Sequence, residues 1–281
     1  MRTIQRGRAG FEVADVGFRV ANEGEFWDSF ADGSWEPYTT RLLERLVAPG
    51  MRVMDIGAWR GPVTLTAAAL GAEVHAFEPD PLAFKGLKLN VEANDTAFRS
   101  RVHLHNKAVT HDGRPIALFA RYGFGDSGSS MLSRLQDTGG AVQVASTTFD
   151  AYVREQGFDR IDFVKMDIEG GEFFTLPAMR AALVQYRPIL YLSTHGPLLV
   201  EYLEKQRARS GLVRRACRLL GIDPLARSRR AAVPLINDLV ESLSVYPYVY
   251  SRDLVPVDPA RIGSMMDELT EFVFSPRELG Y

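Results

Sequence analysis

VMDIGAWRG (Val53–Gly61) decides how this chain is read, because a short apolar run ends there in an acidic residue followed by two glycines four apart. The run MRVMDI (51–56) has strand length, and PVTLTAAAL (62–70) behind it has helix length with proline in its first turn. Strand, glycine turn and helix in that order make a ligand-binding corner, and the turn chemistry says which ligand. A dinucleotide site uses G-x-G-x-x-G so that pyrophosphate docks on backbone N–H groups at the helix N-terminus. Here the spacing is G-x-x-x-G, and Asp55 projects a negative charge toward the same turn. That charge repels pyrophosphate and attracts an ammonium.

S-adenosylmethionine carries an ammonium and a sulfonium and no phosphate, so it suits this turn. Glu78 stands 21 residues after Gly57, at the end of the next apolar run, where it can accept hydrogen bonds from ribose hydroxyls. Ribose is common to both cofactor classes, so the discrimination rests on Asp55 and the glycine spacing.

Outward from this corner the same alternation continues. EVHAFEPD (73–80) reads as a strand, LAFKGLKLNVEAN (82–94) as an amphipathic helix and RVHLHNKAV (101–109) as a third strand. The Gly/Ser stretch GFGDSGSSML (123–132) reads as a loop between the short strands PIALFA (115–120) and AVQVAS (141–146). IDFVKMDI (161–168) is a fourth strand, FFTLPAMRAALVQY (173–186) a helix and PILYLS (188–193) a fifth strand. Such alternation predicts an α/β fold with a doubly wound, mostly parallel sheet. VYPYVYS (245–251) and TEFVFS (270–275) are aromatic and β-branched, and are expected to add an antiparallel edge. The expected organisation is an N-terminal cap segment over 1–48, a cofactor-binding core over 49–195, a helical basic insertion or lid over 196–244, and strands completing the sheet over 245–281.

In doubly wound sheets ligands lie outside the carboxyl ends of the strands, which singles out Asp55, Glu78, Asn106, Asp167 and His195. The 33 Lys and Arg against 35 Asp and Glu give a net charge of -2, with no overall pull toward nucleic acid. One cysteine, Cys217, excludes an intrachain disulfide, and the N-terminus lacks an apolar signal region; a reducing cytoplasm is the expected location. The charge is uneven, however. Lys205, Arg207, Arg209, Arg214, Arg215, Arg218, Arg227, Arg229 and Arg230 face only Asp223 across 205–230. That patch suits an anionic acceptor or peripheral contact with a membrane surface, and with the Gly/Ser loop it is the candidate lid.

VMDIGAWRG, HAFEPDPLAFKGLKLNVEAN, STTFD (146–150) and FVKMDIEGGEF (163–173) occur in the order and spacing of the FkbM-type methyltransferases, which this sequence resembles over roughly residues 30 to 195. The resemblance implies a class I methyltransferase Rossmann-like fold and methyl transfer from S-adenosyl-L-methionine, usually to a hydroxyl oxygen of a sugar, glycan or other natural product. It assigns Asp55, Gly57, Ala58, Gly61, Glu78, Pro79 and Asn106 to the cofactor. WEPYT (35–39) is similar to segments that cover the methionine end in many methyltransferases, which adds Tyr38 and Thr39. Two positions depart from the family pattern. Trp59 replaces the usual asparagine, and the usual E-x-H after the fifth strand reads Ser193, Thr194, His195. These departures keep open a catalytically inert methyltransferase-like binding protein; the dinucleotide-dependent oxidoreductase is opposed by Asp55 and the glycine spacing.

A sulfonium is already an activated leaving group, so methylation of an alcohol needs alignment and removal of one proton. Asp167 and Glu169 share a side if the fourth strand persists, and His195 ends the fifth. His195 is expected to take the proton itself, or Asp167, Glu169 and His195 to hold Mg²⁺ or Mn²⁺ that acidifies the hydroxyl. Two carboxylates beside a sulfonium weigh toward the metal, and the missing glutamate weighs toward the histidine. Glu172 is expected only to offset the dipole of the helix it begins. The acceptor and the oligomeric state are not legible in the sequence.

Overall fold

The computed structural model describes residues 2–13, 23–133, 137–207, 224–266 and 268–280. An antiparallel hairpin, β1 (Arg2–Arg6) and β2 (Ala9–Val13), precedes helices α1 (Glu23–Asp32) and α2 (Pro37–Leu46). The alternating core follows as β3 (Arg52–Ile56), α3 (Pro62–Ala69), β4 (Glu73–Phe77), α4 (Pro81–Glu92), the short α5 (Thr96–Arg99) and β5 (Val102–His105). Two small two-stranded sheets then interrupt it: β6 (Ala108–Val109) pairs with β9 (Ser146–Thr147), and β7 (Ile116–Phe119) with β8 (Ala141–Val144). After α6 (Phe149–Gln156) come β10 (Phe163–Met166), α7 (Glu172–Ala178), α8 (Arg180–Tyr186) and β11 (Ile189–His195). Helices α9 (Gly196–Arg207) and α10 (Pro224–Ser242), strand β12 (Tyr248–Ser251), the short α11 (Ile262–Met265) and strand β13 (Leu269–Ser275) complete the chain.

The main sheet has seven strands in the order β12-β13-β11-β10-β3-β4-β5. β5, β4, β3, β10 and β11 pair in parallel, and β13 runs antiparallel to both β11 and β12. The one reversed strand therefore lies inside the sheet rather than at its rim. This order, with a single antiparallel strand second from one edge, is the class I methyltransferase arrangement that the sequence leads one to expect.

Both faces of the sheet are covered, and each strand divides its residues between two apolar layers. Met54, Ile56, Val164, Met166, Leu190 and Leu192 pack into one layer with α7 to α10. Val53, Phe163, Ile189 and Tyr191 face the other with the hairpin and α1 to α4. Alternation with period two sorts them, and burial on both faces is why these strands read as unbroken apolar runs.

Three elements differ from their sequence reading. The run 101–109 is not one strand: Asn106 Nδ2 donates to the carbonyl oxygens of Glu78 (2.8 Å) and Pro79 (3.3 Å), and the chain leaves the sheet there before β6. The helix expected over 173–186 is two, broken at Met179 just after Pro177, whose ring lacks the N–H that would continue the ladder. The fourth strand stops at Met166, and Glu169 takes a left-handed backbone with φ 53°. Asp167 and Glu169 are thus not neighbours on one strand face; a turn brings them together. Of the basic segment, residues 208–223 lie outside the described residues, including Arg209, Arg214, Arg215, Arg218 and Asp223. Arg227, Arg229 and Arg230 are exposed on α10.

Candidate active site

The glycine corner is shaped by a close crossing of two strand ends. Gly57 has φ +89°, and a Cβ there would overlap the carbonyl oxygen of Asp167, the residue just beyond β10. Only glycine admits both the dihedral and the approach. Beneath the turn Asp55 is buried; Thr64 on α3 donates to its Oδ2 at 2.6 Å, while its Oδ1 is buried with no partner among the described residues. Burial pushes the Asp55 carboxyl up to about 6, against the hydrogen bond from Thr64. Glu78, just past β4, accepts from the backbone N–H of Trp59 and of Asp80, both at 2.7 Å. Burial outweighs those two bonds and raises it to about 8.

Trp59 also has a left-handed backbone, φ 49°. Asparagine enters that region far more readily than tryptophan, which is a physical reason for asparagine in the motif this turn resembles. Here the conformation is held by Trp59 Nε1 donating to the Gly125 carbonyl at 2.9 Å and by an edge-on contact with Phe26, 4.5 Å between ring centroids. Packing has replaced the polar side chain. Phe26 also meets Trp35 at 5.1 Å, so the N-terminal aromatics staple α1 to the corner. The Gly/Ser loop is tied down too: Gly125 N and Ser129 Oγ both donate to Asp80 Oδ2 at 2.7 Å.

Two adjoining cavities open along this edge. The smaller, about 60 Å³, is lined by Phe77, Glu78, Pro79, Val109, Ile116 and Leu118 and is a largely apolar slot. The larger, about 400 Å³, is lined among others by Tyr38, Thr39, Lys165, Asp167, His195 and Arg252. Gly57, Trp59, Ser127, Asp167 and Glu169 border both. Ala58 lines the larger cavity. Asp55, Asn106 and Gly61 line neither: Asp55 is buried beneath the turn, Asn106 braces the backbone after β4, and Gly61 precedes α3 with φ 97°.

Lys165 and three carboxylates surround His195 in the larger cavity. Lys165 is buried, and its Nζ donates to Asp167 Oδ2 at 2.7 Å. Burial alone would discharge Lys165, but Asp167 and Glu36 hold its pKa above the ordinary value. Asp167 is likewise disfavoured by burial, and Lys165, then His195, bring it down to about 2. The His195 ring is flanked on both edges. Nδ1 lies 3.0 Å from Glu172 Oε1, while Nε2 faces Asp167 Oδ1 at 3.5 Å and Glu169 Oε1 at 3.7 Å. Glu172 also accepts from Ile168 N at 2.9 Å, and its Oε2 is buried with no partner among the described residues. Burial works against a charged ring, but Glu172 foremost, then Asp167 and Glu169, push His195 up to about 10. It is an imidazolium at neutral pH.

The far wall sets Glu36, Arg252 and Glu271, which the sequence reading did not single out, beside Tyr38 and Thr39, which it did. Thr39 Oγ1 donates to Glu36 Oε2 at 2.8 Å and lies 2.8 Å from the Tyr191 hydroxyl, which donates to Glu271 Oε1 at 2.9 Å. Arg252 pairs with Glu271 at 3.5 Å and stands 4.4 Å over the Tyr38 ring. Glu36 lies inside the quoted WEPYT and Glu172 inside the acidic motif, so both were visible there. Arg252 and Glu271 carry no local signal, since only the insertion of β13 beside β11 brings them to this edge.

Ribosomal protein L11 methyltransferase of Bacillus velezensis is 42% identical over 67 residues, which are 24% of this chain and 22% of that protein. The same enzyme of Desulfitobacterium hafniense is 43% identical over 60 residues, 21% and 19% of the two chains. The matched stretch thus spans about a fifth of these curated relatives. Among solved structures, a methyltransferase FkbM from Methylobacillus flagellatus aligns over 88% of this chain and 60% of its own, with 18% identity and a TM-score of 0.44. A TehB-like S-adenosylmethionine-dependent methyltransferase from Corynebacterium glutamicum aligns over 90% and 94%, with 10% identity and a TM-score of 0.42. The family description that matches is the methyltransferase FkbM domain, over residues 55–255, the region holding the glycine corner, the acidic cluster and Arg252. With well over half of its residues inside that match, the chain belongs to the FkbM family of S-adenosylmethionine-dependent methyltransferases.

Proposed function

We propose that this chain transfers the methyl group of S-adenosylmethionine to a hydroxyl oxygen of a sugar, glycan or other natural product. The observation that carries the reading is His195, whose Nε2 faces Asp167 and Glu169 in the larger cavity while Glu172 holds Nδ1. The residues fit the cofactor. Asp55 keeps a carboxylate oxygen beneath the turn with no partner among the described residues, the backbone of Gly57 and Ala58 borders the larger cavity, and the largely apolar wall beside Glu78 suits one face of an adenine base. When bound, the cofactor supplies a methyl group on a good leaving group. The protein aligns the acceptor oxygen and takes its proton. His195 holds a proton of its own because three carboxylates demand it; with Asp167 and Glu169 paired to a bound cation, its Nε2 would be released toward a free base. Asp167 and Glu169 accept the hydroxyl hydrogen bond that orients the acceptor.

A second reading rests on a different observation. Donor atoms of Asp167, Glu172 and His195 lie within 4.8 Å of one another, and Glu172 Oε2 has no partner among the described residues. Glu172 takes the place in this set that the sequence gave to Glu169. Such carboxylate-rich donors suit Mg²⁺ or Mn²⁺, which would acidify a bound hydroxyl. The proposal includes a cytoplasmic location and an acceptor that is anionic, with Arg252 at the cavity and the exposed arginines of α10 as the charges to meet it. Peripheral membrane contact through that patch belongs to the same proposal, and no nucleic acid is part of it. No helix among the described residues is long and apolar enough to cross a membrane.

Calorimetry with S-adenosylhomocysteine and with NADH tests the cofactor, and S-adenosylhomocysteine release over a panel of hydroxylated acceptors tests the transfer. Binding of the first without NADH, and turnover on an alcohol, are expected. Turnover only on amines or on protein substrates would overturn the hydroxyl assignment, and binding without turnover on any acceptor class would favour the inert protein. Turnover abolished by chelator and restored by Mg²⁺ or Mn²⁺ would select the second reading.

Asp55→Asn is expected to weaken S-adenosylhomocysteine binding by about 1.5–3 kcal/mol, one to two decades in Kd, by removing a charged acceptor. Because an ammonium needs the ionised carboxylate, wild-type affinity should strengthen as pH rises through about 6, and the variant should lose that dependence. Isothermal titration across pH checks both, and unchanged affinity would remove Asp55 from the site.

A further inference from the structure

The opposite, amino edge of the sheet carries a second group of polar side chains. Glu73 opens β4, His75 follows two residues later, and His103 sits directly beside His75 on β5. Period two places all three on one sheet face. Glu73 Oε1 lies 3.4 Å from His75 Nε2 and 3.4 Å from His103 Nε2. Those separations are long for an N–H···O hydrogen bond, whose distances run to about 3.2 Å. Two edges of a tetrahedron whose centre is about 2.0–2.1 Å from each corner, the zinc-to-ligand distance, have this length. The His75 and His103 rings stack at 4.4 Å between centroids, so the part-exposed His103 ring has to turn out of the stack for both nitrogens to meet one ion.

Three further features point to a bound cation. His75 Nε2 is buried without a hydrogen-bond partner among the described residues, in a residue only 2% exposed. The other nitrogen of that ring, Nδ1, is 2.8 Å from the Tyr152 hydroxyl, which lies 2.7 Å from His105 Nε2. A hydrogen bond of this kind on the non-ligating nitrogen is what orients metal-bound histidines. Arg52 engages the remote oxygen, Oε2, of Glu73 at 3.1 Å, which leaves Oε1 facing the two rings. His103 and Glu73 are partly exposed, so an ion can enter from solvent.

We propose that Glu73, His75 and His103 form a zinc site, with two imidazole Nε2 atoms and one carboxylate oxygen as ligands and water in the fourth position, fastening edge strand β5 to the sheet. Two imidazoles and one carboxylate suit zinc better than the hard cations that favour all-oxygen sites. This site is independent of the methyl-transfer reading.

The test is calorimetric titration of the chelator-stripped full chain with zinc chloride, alongside His103→Ala, Glu73→Gln and His195→Ala. One equivalent taken up at micromolar zinc is expected, weakened at least about tenfold in the first two variants and retained in the third. Because an ion that binds only folded chain raises its melting point, zinc should raise the Tm of wild type and of His195→Ala, and not of His103→Ala. His103 is half exposed and its circular dichroism should match wild type, so a lost site there is not lost folding. No uptake would overturn the proposal, leaving Glu73 as a counter-ion for Arg52. Uptake indifferent to His103→Ala, or lost only in His195→Ala, would overturn it equally.

Discussion

His195→Ala is expected to lower kcat by about 10²–10⁴ while S-adenosylhomocysteine still binds, because in the proposed reaction the ring takes a proton and holds no part of the cofactor. The pH dependence separates this from a generic cavity. With Nε2 held up to about 10 by Glu172, Asp167 and Glu169 against the effect of burial, the active free base is scarce at neutral pH. The rate in wild type should therefore climb on the alkaline side rather than level off near the ordinary histidine range of about 6.5. Glu172→Gln removes the first of those carboxylates and should move the climb to lower pH. Stability follows with the opposite sign. A histidine whose folded pKa is raised contributes fully below about pH 6.5 and loses that contribution as pH rises toward about 10. Denaturation midpoints should fall over that window in wild type and less in His195→Ala. A single-turnover rate in His195→Ala equal to wild type would sink the base assignment.

Gly57→Ala should cost about 2–5 kcal/mol of folding stability, adding roughly 1–2 kcal/mol for a left-handed non-glycine residue to about 1–3 kcal/mol for overpacking. The methyl group has nowhere to go, since the atom it meets is the main-chain oxygen of Asp167 and not the end of a flexible side chain. Relief requires β3 and the end of β10 to part. That movement would also displace Asp167 from Lys165 and His195, so cofactor affinity and kcat should fall together. Urea denaturation with calorimetry on the folded fraction checks both. A wild-type midpoint would show that the crossing is looser than the structure has it.

Much of the fold was legible because its signals are short-ranged. Apolar runs of strand length, Pro81 behind the N-cap Asp80, and the glycines of the corner each act within a few residues of themselves. Where a local signal competed with a distant partner, the reading failed. Asn106 looked like a strand-end ligand residue, yet its amide is spent on carbonyls after β4. Glu169 looked like the strand neighbour of Asp167, yet the strand had already ended. Glu172 read as a helix-dipole residue because nothing nearby in the chain announces His195, 23 residues on.

By itself the sequence determined the alternating architecture, the acidic glycine corner that disfavours a pyrophosphate, and the set of strand ends at which polar residues stop apolar runs. These are consequences of residue periodicity and turn sterics, which need no partner from elsewhere in the chain. Only the tertiary structure decided which of those residues meet. Placing β10 between β3 and β11 brings Asp167 to Gly57 and His195. Reversing β13 into the sheet delivers Glu271, with Arg252 from β12's end, to the same cavity. Charge interactions between exposed groups are screened over about 8–10 Å at physiological salt, so the chemistry of each group depends on near neighbours that the tertiary fold supplies.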